Sequence, residues 1–354
     1  MSQETIKKGS QGSCHRYLCK KCSRSFSINF NRHKSIFWIA HVDGTPFRKL
    51  GDQNTLTGGQ AYNRTIAELN RLPDNFQLTK DICDPKRFCG ILVIDGKYIA
   101  IKPFEAKIPL VYGIDYFSHD IPYGSLYRAE DELSFSQFFQ KLYDLDYDLK
   151  IVVADDRPGL KQALLKVFPY AKLQLCHNHY LENIRKLLNL RSDKTKKYEH
   201  FFNSLRLHVF IEGTSEEKID EGLEHVLKNR CEGKRFLEDI VWEIKRRRTD
   251  LFNYLKVPGC PSTTNIIESY NSHTQGRLET IKGFQSFSSA QRWSNGFILR
   301  RRTKKFTDCK KKFKHLNSHA SLELTIKKQA LWPDNLKNLG IDEIKYFNFD
   351  EKTD

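Results

Sequence analysis

Between Gly90 and Leu187 the chain switches between two hydrophobic rhythms, and this alternation restricts the fold more than any other feature. "GILVIDGKYIAI", "IPLVYGIDYF" and "IPYGSLYRA" are three β-rich runs separated by short gaps, as in an antiparallel meander. "LSFSQFFQKLYDL" then reads as a helix with an aromatic and leucine face. "LKIVVAD" is a short buried strand, "RPGLKQALLKVF" a helix, and "AKLQLC" a further strand leading into the helical "HNHYLENIRKLLNL". Three strands, helix, strand, helix, strand, helix is the element order of an RNase H-like α/β fold, a mixed sheet in which antiparallel strands join parallel ones through helical crossovers. Element order alone does not give function; the positions of the acids carry more.

Asp95 sits inside the first strand, between "ILVI" and "GKYIAI", where a buried charge is costly unless it is paired or binds a metal. Asp155 ends the fourth strand, after "KIVVA". In an RNase H-like sheet these strands are neighbours, so the two carboxylates meet at one edge. They would shift each other's pKa, a repulsion that a divalent cation relieves. A third acid is expected from a later helix. Glu268 in "STTNIIESYN" is the candidate, with Ser262, Thr263 or Thr264 as the cap that sets it in the first turns. Three carboxylates with oxygen-only ligation suit Mg²⁺ or Mn²⁺ rather than zinc. Two such ions about 3.5 to 4 Å apart can activate an attacking oxygen and stabilise the leaving oxygen of a phosphodiester. Taken singly, an aspartate at a strand end is more often a turn or a cap than a ligand.

"LQLCHNHYLENI" brings Cys176, His177 and His179 to a strand-to-helix turn. A nucleophilic thiol needs an activating base and an acyl substrate site, which nothing else in the sequence supplies. Cys176 and His179 alone lack two of the four ligands of a structural zinc. A structural role is therefore expected, with Cys176 packed at the end of the last strand. His179 and Asn183, four residues apart on one helical face, would brace the turn near Asp155.

Two N-terminal segments have a different character. "SCHRYLCKKCSRSFSINF" holds Cys19 and Cys22 in a CxxC knuckle, with Cys14, His15 and His33 nearby. A ribbon normally adds a second CxxC about 15 to 20 residues away, and none precedes this one. Zinc on Cys14, Cys19, Cys22 and His33 and a ribbon remnant without metal both stay open. Further on, Thr57 and Gln60 fit a capping box, and Ala61, Ile66, Leu69 and Leu72 form a helical stripe ending at Pro73. With a short helix before it this makes a helix-turn-helix, presenting Asn63 and Arg64 to a DNA groove, or an ordinary helical hairpin.

A net charge of +16 and a pI near 9.3 favour a polyanionic partner, nucleic acid before membrane. No run reaches the roughly 20 apolar residues of a membrane span, and "MSQETIKKGS" lacks the apolar core of a signal peptide, so an intracellular, cytoplasmic protein is expected. Nine cysteines, mostly scattered, suit reduced thiols or a metal site better than a disulfide framework.

Three stretches also carry a family resemblance: "VIDGKYIAI", "VVADDRPGLKQALLKVFPYAKLQLCHNHYLENI" and "TTNIIESYNSHTQGRLETIKGFQSFSSAQRW". Together they resemble the DDE transposases of bacterial and archaeal insertion sequences, on the Mutator-like branch with a CxxH signature, over residues 90 to about 305. The resemblance makes Asp95, Asp155 and Glu268 the metal-binding catalytic triad, with Mg²⁺ or Mn²⁺ as cofactor, and Cys176 and His179 the CxxH pair. The gap from Asp155 to Glu268 is roughly twice that from Asp95 to Asp155, which leaves room for the helical insertion of this branch. Asp156 stands where the family usually has Gly, and Asp155, directly on the strand, is the preferred ligand. The N-terminus looks like the second half of a ribbon that relatives carry complete.

The resemblance implies binding to the terminal inverted repeats of a mobile element, nicking to expose a 3′-hydroxyl, and attack of that hydroxyl on target DNA. It also implies an assembly of at least a dimer to bring two ends together. The expected organisation is a partial zinc-ribbon-like segment (1–35), a helix-turn-helix region (36–82), the first part of an RNase H-like core (88–189), a helical insertion (190–260), core helices with Glu268 (261–306) and a basic C-terminal tail (307–354). The "KRRR" run at 245–248 and Arg300, Arg301 and Arg302 would neutralise DNA phosphates. Arg277 and Lys282 are weaker candidates for contacts to strand ends. Trp293 could stack on an extruded base, although core packing is its more ordinary role. A DNA-binding regulator or domesticated transposase with an idle triad, and a metal-dependent nuclease of the same fold, are the competing readings.

Overall fold

The computed structural model describes residues 4–11, 14–29, 37–102, 104–231, 233–281 and 283–347. The first described residues form an antiparallel sheet of β1 (Thr5–Gln11), β2 (Cys14–Cys19) and β3 (Ser25–Asn29), in that order. Four helices follow: α1 (Phe37–Val42), α2 (Phe47–Gln53), α3 (Gly58–Leu69) and α4 (Asn75–Ile82). The Thr57 and Gln60 capping box is present at the start of α3, and α2 supplies the short preceding helix. Asn63 and Arg64 are exposed on α3.

The main sheet has five strands: β4 (Ile91–Ile99), β5 (Ile108–Asp115), β6 (Gly124–Leu126), β7 (Ile151–Ala154) and β8 (Lys172–Leu175), in the order β6-β5-β4-β7-β8. β4 pairs antiparallel with β5 and β5 with β6, whereas β4/β7 and β7/β8 are parallel. Every residue of β7 is buried, as the uninterrupted apolar run "IVVA" requires of a strand covered on both faces. The crossovers are α5 (Glu132–Tyr143) and α6 (Leu160–Val167), which pack on each other. α7 (His177–Leu187) leaves β8 directly.

Register then sets the acids. Ile91, Leu92 and Val93 pair with Ile151, Val152 and Val153. Continued two positions, this register brings Asp95 level with Asp155. β7 stops at Ala154 while β4 runs on to Ile99, paired with β5 alone on that stretch. The burial of β4 changes at the same place, from four buried residues to a half-open stretch beginning at Asp95.

Residues 190–260 hold α8 (Glu199–His208), α9 (Glu216–Arg230), α10 (Arg235–Arg246) and α11 (Arg248–Phe252). The chain returns to the sheet in α12 (Asn265–Ile281), beside β4, and α13 (Phe287–Thr303), beside β6. One continuous core joins the sheet to Trp38 and Val42 of α1 and to Leu322, Ile326, Leu336 and Leu339 near the C-terminus. The segment expected as a basic tail is thus largely folded back, with a short α14 (Asp334–Asn338), and the Leu339 carbonyl accepts the Trp38 indole N–H at 2.8 Å. No described helix is long and apolar enough to cross a membrane.

Several side chains expected at DNA are internal. Arg302 is fully buried and donates Nε and Nη2 to the two oxygens of buried Asp120, each at 2.9 Å, and Nη1 to Thr79 Oγ1 at 2.6 Å. Trp293 is 1 % exposed and stacks on Phe297, so it is a core residue. Both corrections follow from α13 lying inward: Ala290, Ser294, Ile298 and Arg302 continue one buried helical stripe at four-residue spacing. Arg300 is paired with Asp43 at 2.8 Å, and Arg277 approaches the same carboxylate at 3.7 Å. In the "KRRR" run, Arg246 pairs with Glu243, Arg247 with Asp156 and Arg248 with Asp220. Lys282 lies outside the described residues.

Candidate active site

Asp95 is held by two donors. The Gly96 backbone N–H donates to Oδ1 at 2.8 Å, and Asn271 Nδ2, from α12, donates to Oδ2 at 2.6 Å. The Asn271 carbonyl oxygen in turn accepts Tyr112 O–H from β5 at 2.8 Å, which fixes the orientation of the amide. Burial, and secondarily the neighbouring charge of Asp155, push the Asp95 carboxyl up to about 6. That mutual effect is what level register across two parallel strands predicts.

Asp155 faces α7. His179 Nδ1 lies 2.5 Å from its Oδ1, and the hydrogen bond to Asp155, followed by the one to Cys176, raises the His179 imidazole to about 10. That shift favours the protonated ring, which would give Asp155 a counter-charge inside the protein. Asp156 points elsewhere, to the guanidinium of Arg247.

Glu268 lies in the first turn of α12 and accepts from Thr264 Oγ1 at 3.1 Å, with His179 Nδ1 at 3.8 Å. Thr264 also donates its backbone N–H to Cys176 Sγ at 3.3 Å, and its hydroxyl oxygen lies 3.2 Å from the same sulfur. Cys176 is 1 % exposed. The CxxH pair is therefore the joint at which the start of α12 meets the end of β8. Among the described residues the Asn183 side chain makes no hydrogen bond or ion pair, and its backbone serves α7.

An open groove of about 680 Å³ runs along this edge, lined by Asp95, Glu268, Asn271, Lys97, Lys107 and Glu279 among others. Asp155 and Asp95 also share a small internal cleft with Glu130 and Arg157. Glu130 has a side chain only 5 % exposed, accepts Tyr98 O–H at 2.8 Å and pairs with Arg157 at 3.1 Å. It lies directly over Gly96, where an added Cβ would come within 1.7 Å of its Oε1.

Asn271, Glu130 and Arg157 are the residues that sequence reasoning passed over. Asn271 had a signal, since it follows Glu268 by three positions and so shares its helical face. Glu130 and Arg157 lie in loops with no periodicity to read.

The structure joins the three predicted acids to one region without drawing them onto a common point. Among the described residues, the His, Cys, Asp and Glu groups near enough to share an ion are Asp155, Cys176 and His179, whose ligand atoms lie within 4.8 Å of one another. Such a set contains soft and borderline donors suited to zinc. Its histidine must first lose a proton that Asp155 holds in place.

At the N-terminus, Cys14 and Cys19 stand at opposite ends of β2, roughly 16 Å apart along an extended strand. Cys19 and Cys22 share the turn after β2, where the Cys22 and Lys21 N–H groups lower the Cys19 thiol pKa. His33 lies outside the described residues.

The sequence profile of the Mutator family of transposases matches residues 119–307. The chain belongs to the Mutator family of transposases. This family cuts and joins DNA, and the matched span holds Asp155, the CxxH pair and Glu268, with Asp95 upstream of it. Among solved structures, the chain is similar to the Mos1 transposase in a paired-end complex with the left transposon end. The identity is 12 %, the overlap covers 61 % of this chain and 77 % of that one, and the TM-score is 0.16. No curated protein matches this Mutator-family transposase.

Proposed function

We propose that this Mutator-family transposase is a DDE enzyme whose five-stranded sheet is an RNase H-like catalytic core. In this reading Asp95, Asp155 and Glu268 hold Mg²⁺ or Mn²⁺ and catalyse strand cleavage and strand transfer at the ends of a mobile element. The observation that carries it is Asp95, a largely buried carboxylate whose pKa is raised beside Asp155, on an open groove that Glu268 also lines.

The donor chemistry fits a hard divalent cation. All three acids offer oxygen, and each is now held by a protein donor, Asn271, His179 or Thr264, that an ion would compete with. A divalent cation held by Asp95, Asp155 and Glu268 would supply activation of the attacking oxygen and stabilisation of the leaving one. The chain itself does the positioning. Asn271 orients Asp95, Thr264 orients Glu268, and His179 balances the charge of Asp155. Lys97 and Lys107 line the groove, where they would take phosphate oxygens.

In the same reading, the N-terminal sheet and the α2–α3 pair, with Asn63 and Arg64, recognise the terminal inverted repeats. Two copies at least join the two ends, and the enzyme acts on chromosomal DNA in the cytoplasm. The test is strand cleavage of a labelled duplex carrying the element's end. Asp95→Asn, Asp155→Asn and Glu268→Gln are each expected to lower metal-dependent cleavage by at least about a thousandfold, with retention of the same duplex in a gel unchanged. Cleavage at the wild-type rate in any of the three removes that residue from the triad. Stoichiometric zinc in the purified protein, lost on Cys176→Ser, would assign Asp155 to a zinc site instead.

A further inference from the structure

On the other side of α12 from the acids lies a second cleft, of about 640 Å³. α12 turns Ile266, Ser269, Tyr270 and His273 towards it, and Glu268, Asn271, Gln275 and Glu279 towards the catalytic groove. The two are separated by roughly one helix diameter, about 10 Å. The segment Cys260–Thr263 forms a wall of the cleft and leads straight into Thr264 of the acid cluster.

The lining has two chemistries. Tyr116, Phe306 and Phe313 form an aromatic surface, with Phe313 edge-on to Tyr116 and 4.3 Å from the His119 ring. Arg301, Lys310 and Lys312 stand beside it, and none of these three cations has an ion-pair partner among the described residues; Arg301 lies over Tyr270 and Lys312 over Tyr116. Glu212 and Asp308 also line the cleft, so two acids accompany the three cations.

Buried polar atoms in the same lining lack a protein partner. His119 is 7 % exposed, yet its Nε2 has no hydrogen-bond partner among the described residues; the same holds for the Tyr254 hydroxyl and for Arg301 Nε. Buried polar groups are nearly always satisfied by protein or by ordered water, so these three atoms mark hydrogen-bonding capacity beside the cleft, and the aromatic surface and the cations are what select a ligand. An aromatic surface beside cations that have no ion-pair partner among the described residues matches a nucleotide: a π-face for the base, and a phosphate to draw Lys312 and Arg301 off the rings they now cover.

We propose that this cleft holds one unpaired nucleotide of a DNA strand, its base against Phe313 and Tyr116 and its phosphate on Lys310, Lys312 and Arg301. The proposal rests on the transposase reading only for the source of the strand. The cleft would hold that strand across α12 from Glu268, so a nucleotide seated there fixes the distance from the strand to the acids.

The test uses the full-length protein and two probes: a short single strand carrying one 2-aminopurine, and 2-aminopurine deoxyriboside 5′-monophosphate. Stacking in the cleft quenches the fluorescence of the strand probe. Lys312→Glu, on an exposed side chain, and Phe313→Ala, on a half-buried one, are each expected to weaken that binding about tenfold, with an unchanged circular dichroism melt for Lys312→Glu. Asp95→Asn is expected to quench as wild type does. Equal binding by wild type and both variants overturns the proposal, and so does quenching of the free nucleotide without quenching of the strand. If wild type quenches the strand through Lys312 and Phe313 but does not cleave, the cleft stands and the acid assignment falls.

Discussion

Asn271 touches both the acid and the scaffold, so its removal separates the position of Asp95 from its chemistry. Asn271→Ala leaves the carboxylate in place and frees its Oδ2, with Tyr112 losing an acceptor as well. Cleavage is expected to fall about 10- to 100-fold, the usual cost of losing an orienting partner, with the optimum divalent-ion concentration raised; a metal titration of the cleavage rate checks it. Two other residues predict the response to acid. Buried His41 and His177 each have a ring nitrogen on a backbone carbonyl, and burial lowers both to about 4 from an ordinary 6.5. The unfolded chain therefore takes up these protons first. Their contribution to stability is complete above about pH 6.5 and is lost as the pH falls towards 4, by on the order of a few kcal/mol together. Urea midpoints between pH 7 and pH 4.5 should show the decline, and a His41→Gln, His177→Gln double variant should reduce it, leaving the share of His119, which burial also lowers to about 4. The acids themselves were legible in sequence, because a charge amid "ILVI" and after "KIVVA" is conspicuous. Arg302 was not, since an arginine run does not reveal which member faces inward until the stripe through Ser294 and Ile298 is followed to its end.

Among the elements, β4 and β7 differ in length, and this opens the acid edge. Apolar runs bounded by turn residues located every strand and crossover helix of the main sheet, whereas the register that sets Asp95 level with Asp155 came from the strand pairing itself. What the sequence did not contain was the approach of the loop before α5, which carries Glu130 onto Gly96. Gly96→Ala is expected to push Glu130 off Tyr98 and Arg157 and to destabilise the protein by about 1–3 kcal/mol, as overpacking does. Thermal melting measures this, and shortening the acid in a Gly96→Ala, Glu130→Ser double variant should recover part of it. α12 shows a further limit of periodicity. It has polar groups on two faces, so no single apolar stripe announced that one would line the acid groove and the other an aromatic cleft.

At the scale of the molecule, the C-terminal segment and the helical region before β4 belong to the same body as the sheet. A charge-rich sequence reads as a solvated tail, yet this one also carries a scattered apolar set that is buried, among them Leu316, Leu322, Ile326, Trp332 and Leu336. The Asp120–Arg302 pair is the electrostatic centre of that union, with Thr79 on Arg302 and Ser321 and Thr325 on Asp120. Arg302→Met is expected to cost about 3–5 kcal/mol, because it leaves a buried carboxylate without its counter-ion; urea unfolding at neutral pH reads it directly. The pair also sets a timetable for synthesis. Asp120 and Arg302 are 182 residues apart, and a ribosome adding about 5–20 residues per second delivers the arginine roughly 10–40 s after the aspartate. Throughout that interval Asp120, in the turn between β5 and β6, awaits the side chain that neutralises it in the finished fold. Because Glu268 is also made late, the proposed third acid and the stable interior arrive at nearly the same moment.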